Sequence, residues 1–127
     1  MVEEQIINLF CKDKELFTKY YKYVNINYIK INYSNIYKLF IVIEYYYNKY
    51  NNNNITKEEL ELAYNSNYLL KDSERKELSD LLDRVLNAEL PNPDAVITLL
   101  EEHRRRCLAG DLARLALDVE EIGRAHV

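Results

Sequence analysis

Apolar residues recur at three- and four-residue intervals along most of the chain, and this spacing predicts helices rather than strands. Ile6, Ile7, Leu9 and Phe10 form a short amphipathic run. Leu16, Phe17, Tyr20, Tyr21 and Val24 repeat the spacing after Asp13, whose short carboxylate suits an N-cap. Two short helices are therefore expected to open the chain. Residues 25–32 alternate apolar and polar positions, with Ile26, Tyr28, Ile29 and Ile31, and propensity alone would make them a strand. A single strand would find no partner elsewhere in the sequence, so the segment is expected to be a turn. Ser34 can cap a longer helix carrying Ile36, Leu39, Phe40, Ile43, Tyr47 and Tyr50, expected to be the central core helix, and the Asn tract at 51–54 ends it.

The second half has sharper punctuation. Thr56-Lys57-Glu58-Glu59 has the form of a capping box, so a helix starts there with Leu60 and Leu62 or Ala63 inward, ending near Asn65. Asp72 or Ser73 can cap a helix bearing Leu78, Leu81, Leu82, Val85 and Leu86, and Pro91 forbids its continuation. Asn92-Pro93 pairs an N-cap with a first-turn proline. Val96, Leu99, Leu100, His103, Cys107, Leu108, Leu112, Leu115 and Val119 then follow along one side of a last helix roughly 40 Å long. Gly110 lies inside it, costs about 1 kcal/mol relative to Ala, and permits a bend. The expected fold class is all-α, a small bundle of about five to six helices ending in one long helix.

Composition narrows the function. The net charge of −4 and pI near 5.3 argue against a dedicated nucleic-acid binder, which needs a clustered excess of Lys and Arg. Residues 1–57 do hold eight Lys against five acids, a weak bias that reads as a solvated face. Three successive residues on a helix point in three directions, so the Tyr45-Tyr46-Tyr47 triplet is expected to supply core and rim residues rather than a base-stacking platform. With two glycines, Gly110 and Gly123, neither a phosphate-cradling loop nor a dinucleotide fingerprint can form, and the chain by itself cannot be an NTPase. Cys11 and Cys107 stand far apart without a Cys-x-x-Cys motif, so buried thiols in a reducing compartment are expected and zinc is not. His103 has no nucleophile or acidic orienter at recognisable spacing, and a buried histidine on an apolar stripe is expected. Arg104, Arg105 and Arg106 are partly neutralised by Glu101 and Glu102 four residues before, which suggests a solvated face. No catalytic, cofactor or metal site is expected in this chain, and with no long apolar span it reads as soluble and cytoplasmic, without a membrane.

Two features concern the gene. All twelve Tyr lie at or before Tyr68, every Arg at or after Arg75, and Ala first appears at Ala63. This is a codon signature, open to two readings: templates of different base composition joined together, or one gene whose early part drifted toward A/T. The last six residues, 122–127, match what a common short-read sequencing adapter encodes in frame. They are expected to be a library scar, and the reading frame to be the front of a longer gene.

As an ordered pattern the chain resembles the N-terminal domain of DnaB-type replicative helicases, most closely those of T-even-like phages. The carriers are Glu4-Gln5-Ile6-Ile7-Asn8-Leu9 followed by Asp13 and Phe17, residues 20–28, Asn35-Ile36-Tyr37-Lys38-Leu39-Phe40, and residues 47–50. Residues 56–62, the Leu-rich helix at 77–86 and the Arg-rich helix at 96–119 follow in order. The Asn tract at 51–54 departs from the family, which usually has a Pro before the next cap. The resemblance implies a globular domain over 1–88 and the first arm of a helical hairpin over 89–121. It implies a collar that supports hexamer assembly with other helicase subunits and offers a surface to primase. DNA contacts, ATP and Mg would belong to a C-terminal motor outside this chain. A lone arm would leave an apolar stripe uncovered, and Leu100, His103, Cys107, Leu112, Leu115 and Val119 are its expected partner interface. The competing class is an independent small helical adaptor or loader-like regulatory protein.

Overall fold

The computed structural model describes residues 1–89 and 92–125, with side chains as far as Gly110. Among these residues the fold is all-α: α1 (Val2–Lys12), α2 (Lys14–Tyr20), a 3-10 turn (Tyr21–Tyr23), α3 (Ile26–Asn32), α4 (Ser34–Lys49), α5 (Lys57–Asn67), α6 (Asp72–Leu86) and α7 (Ala95–Ala125). Pro91 falls outside the described residues.

Local chemistry sets most boundaries. The Asp13 carboxylate accepts from Glu15 N–H at 2.9 Å and starts α2 one residue after α1 ends. Thr56 and Glu59 close the expected capping box, Oγ1 accepting from Glu59 N–H at 3.2 Å and Oε1 from Thr56 N–H at 3.1 Å. Asn92 Oδ1 accepts from Asp94 N–H at 3.0 Å ahead of α7. Ser34 is the first residue of α4 rather than its cap, which is Tyr33 with no side-chain bond. Before α6, Lys71 takes the N-cap place expected of Asp72 or Ser73, and its N–H donates to Glu74 Oε1 at 3.3 Å.

The segment expected to be a turn is α3. Asn25 Oδ1 accepts from Tyr28 N–H at 3.0 Å, and Ile29 is buried. The strand-like alternation is overruled because Ile26 and Ile29, three apart, meet the core together when the backbone is helical, while Ile31 is left exposed. α3 packs along α4.

The centre is shared between α4, as expected, and α1, which packs against α2, α4, α6 and α7. α1 buries Glu3, Ile6, Ile7, Asn8, Leu9, Phe10 and Cys11, a nearly all-round burial that only a helix surrounded by neighbours shows. Phe10 meets Phe17 and Phe40 edge-on at ring separations of 5.7 and 6.3 Å. Tyr46 and Tyr47 of the tyrosine triplet are buried too. The Tyr47 hydroxyl donates to Phe10 O, and that of Tyr46 to Glu59. Burial pushes the Cys11 thiol up to about 12, so it stays protonated and packs as a small apolar group.

The boundary expected at residue 88 does not divide this core, because Val96 and Leu100 of α7 belong to the same buried cluster as α1 and α4. Gly110 also has a use beyond a possible bend. A Cβ there would sit 3.1 Å from Cε2 of Tyr28, so the missing side chain makes room for that ring. Gly110→Ala is expected to lose the gain of about 1 kcal/mol that alanine normally brings to a helix. The gain should return in a Tyr28→Ala background, a non-additivity that urea unfolding of the two single variants and the double variant would measure.

Candidate functional site

Of the three buried polar residues among those described, Asn8 donates to Ala88 O, and the other two, Glu3 and His103, meet where α1 meets α7. Glu3 and His103 are both fully buried, and Glu3 Oε1 lies 3.2 Å from His103 Nδ1. Glu3 Oε2 accepts from the Arg106 guanidinium at 3.0 Å, and Arg106 also donates to the Tyr33 hydroxyl at 2.9 Å. The Asn25 backbone N–H donates to His103 Nε2 at 3.0 Å. Since Nε2 accepts, the ring is the neutral tautomer with its proton on Nδ1, and that proton goes to Glu3. One histidine thus ties α7 to the first turn of α1 and to the start of α3. Burial alone would raise the Glu3 pKa, but the bond from His103 and the Arg106 charge outweigh it, and the carboxyl is held below its ordinary value.

The sign of the pH dependence follows. A depressed carboxylate contributes stability that is fully present above its unfolded pKa and is lost as pH falls through the folded value. Acid should therefore weaken the α1–α7 junction, and Glu3→Gln should flatten the acid limb of the urea midpoint measured between about pH 7 and pH 3.

Cys107, His103 and Glu3 suggest a nucleophile, base and orienter, yet the geometry does not support that chemistry. Cys107 Sγ is 3.7 Å from Nε2 and 3.9 Å from Nδ1. Such near-equal distances place the sulfur over the ring face rather than in the ring plane at Nε2, where a base would take its proton. The Nε2 lone pair is already turned to Asn25. The cluster is a structural clamp. Among the described residues no group of three or more His, Cys, Asp or Glu is placed to hold a metal ion, and no helix is long and apolar enough to cross a membrane.

Three residues of the expected partner interface lie among the side chains described. Leu100, His103 and Cys107 are buried, and all three also line a groove beside α7. On that side α7 is packed by α1 and by residues 25–28. The side chains of Leu112, Leu115 and Val119 lie outside the described residues. Beside the three buried residues, Ile97 and Leu108 are 49% and 52% exposed. They border a groove of about 610 Å³ whose other wall is Tyr20 and Tyr23, with Glu101 and Arg104 along it. Lys19 and Lys22 stand over the rings of Tyr20 and Tyr23 at 5.2 and 5.3 Å. His103 was legible as a buried residue, but Glu3 was not legible as its partner. Next to Glu4 in the first turn of α1, it reads as one of two acids at a helix N-terminus.

No family model matches the chain, and no curated protein or solved structure matches it.

Proposed function

We propose that this chain is the helical N-terminal module of a phage-type replicative DNA helicase, serving hexamer assembly and primase docking in the host cytoplasm, while ATP, Mg and DNA are handled by a motor elsewhere in the parent. The observation that carries the reading is the order of elements. Two short helices, α3, the longer α4, two further helices and a closing helix of 31 residues follow one another, an order that, α3 apart, agrees with the resemblance. At 1.5 Å per residue α7 is about 46 Å long, far more than the three turns of α1 against which it packs. Reading the gene past codon 121 in overlapping genomic sequence tests this directly. A downstream Gly-x-x-x-x-Gly-Lys followed by Thr or Ser supports the helicase, and a stop soon after codon 119 overturns it.

A second reading, an independent helical adaptor or loader-like regulator, is favoured by one observation. The first half of α7 is sealed into its own bundle by Val96, Leu100, His103 and Cys107, as in a self-sufficient domain. The same gene reading separates the two.

A further inference from the structure

Two of the three consecutive arginines of α7 have partners. Arg105 donates to Glu102 at 3.2 Å and Arg106 to Glu3 at 3.0 Å. Arg104 enters no ion pair among the described residues, and it lines the groove that Tyr20 and Tyr23 wall on the other side. A guanidinium is always charged and presents its donors as a planar fork, so an unpaired one beside an apolar trough is matched to a carboxylate.

The rest of the lining sets the body of the ligand. Ile97, Leu100, Cys107 and Leu108 come from α7, against the rings of Tyr20 and Tyr23. The polar atoms that line it are largely engaged. His103 Nδ1 is bonded to Glu3, its Nε2 takes the Asn25 N–H, and Asn25 Oδ1 takes the Tyr28 N–H. A nucleobase or a peptide backbone laid there would bury its own donors and acceptors with little to pair with, whereas a hydrocarbon chain has none to lose. Size and charge agree. The groove holds about 610 Å³, within the roughly 300–1,000 Å³ usual for small-molecule sites. Arg104 stands nearer the Leu108 end, which leaves about 10 Å of trough along α7 toward Ile97. Lys19 and Lys22 stand over the rings of the tyrosine wall, and Glu101 is the one acid among the lining residues. We propose that the groove is a binding site for a medium-chain fatty acid, its hydrocarbon chain laid between α7 and the two tyrosines and its carboxylate held by Arg104. The site goes beyond the helicase reading and does not rest on it.

Titration of the full chain with decanoate, kept below its micellar range and followed by calorimetry and NMR, tests it. A single saturable site with a Kd of about 100 μM is expected, with the signals of Tyr23, Ile97 and Leu108 shifting as it fills. Arg104→Gln should weaken binding about tenfold, because the chain keeps its trough while the carboxylate loses its charged fork. Arg105→Gln, which gives up only the Glu102 pair, should bind as the wild type does. Decylammonium, the same chain with the opposite charge, should bind about tenfold more weakly than decanoate. Arg104 and Arg105 are both exposed, and circular dichroism checks that the helices of each variant are intact. Absence of saturable binding to the folded wild type would overturn the proposal and leave the groove to a macromolecular partner. So would binding indifferent to Arg104→Gln or to the sign of the head group, or shifts confined to another part of the surface. Presence or absence of a downstream motor motif decides the helicase reading and leaves these outcomes unchanged.

Discussion

Phe40→Ala is expected to cost about 3–5 kcal/mol of folding stability, a large part of the 5–15 kcal/mol typical of a domain. Phe40 is fully buried in the middle of α4 and lies against Phe10 of α1 and Tyr21 of the 3-10 turn, at ring separations of 6.3 and 6.4 Å. Removing the ring therefore opens a cavity where three elements meet, and helices held by neighbours on several sides cannot easily close over it. The contrast is Leu69, equally apolar but fully exposed between α5 and α6, where truncation should change stability by less than about 0.5 kcal/mol. Urea unfolding of both variants measures the difference. A Phe40→Ala midpoint close to that of Leu69→Ala would mean that the aromatic cluster does not hold α1, α4 and the turn together.

That cluster was legible in the sequence, because Phe10, Phe17 and Phe40 lie on apolar lines of helical period and period is a local property. The caps at Asp13, Thr56 and Asn92 were legible for the same reason, each depending on residues two or three positions away. α3 was not. Its alternating isoleucines satisfy a strand pattern and a helix pattern at once, and only packing against α4 decides between them. The environment of α7 was the other loss. A line drawn through Leu100, His103, Cys107, Leu112, Leu115 and Val119 looks continuous in one dimension, but it joins positions on two faces of the helix. The covering of the first three depends on α1 and on Asn25, nearly the whole chain away. No spacing rule could have joined Glu3 to His103 across 100 residues.

The same separation makes Glu3→Ala the most informative change at the α1–α7 junction, with an expected cost of about 3 kcal/mol. The loss has two parts. His103 is fully buried, so deleting the carboxylate leaves its Nδ1 proton without an acceptor in a place water does not reach. Arg106 is one-third exposed and keeps the Tyr33 hydroxyl, so its charge can turn to solvent and adds less. The ranking of variants follows from this asymmetry. Glu3→Gln should cost less than Glu3→Ala, because an amide oxygen can still accept from His103 while the ion pair is lost. Arg106→Ala should cost least, about 1 kcal/mol. Amide hydrogen exchange across residues 95–110 adds a local reading. If the clamp holds α7 to the bundle, Glu3→Ala should speed exchange there more than in α5, which packs chiefly on α4 and α6. Equal acceleration in both helices would show that Glu3 supports the fold globally and that His103 does not fasten α7.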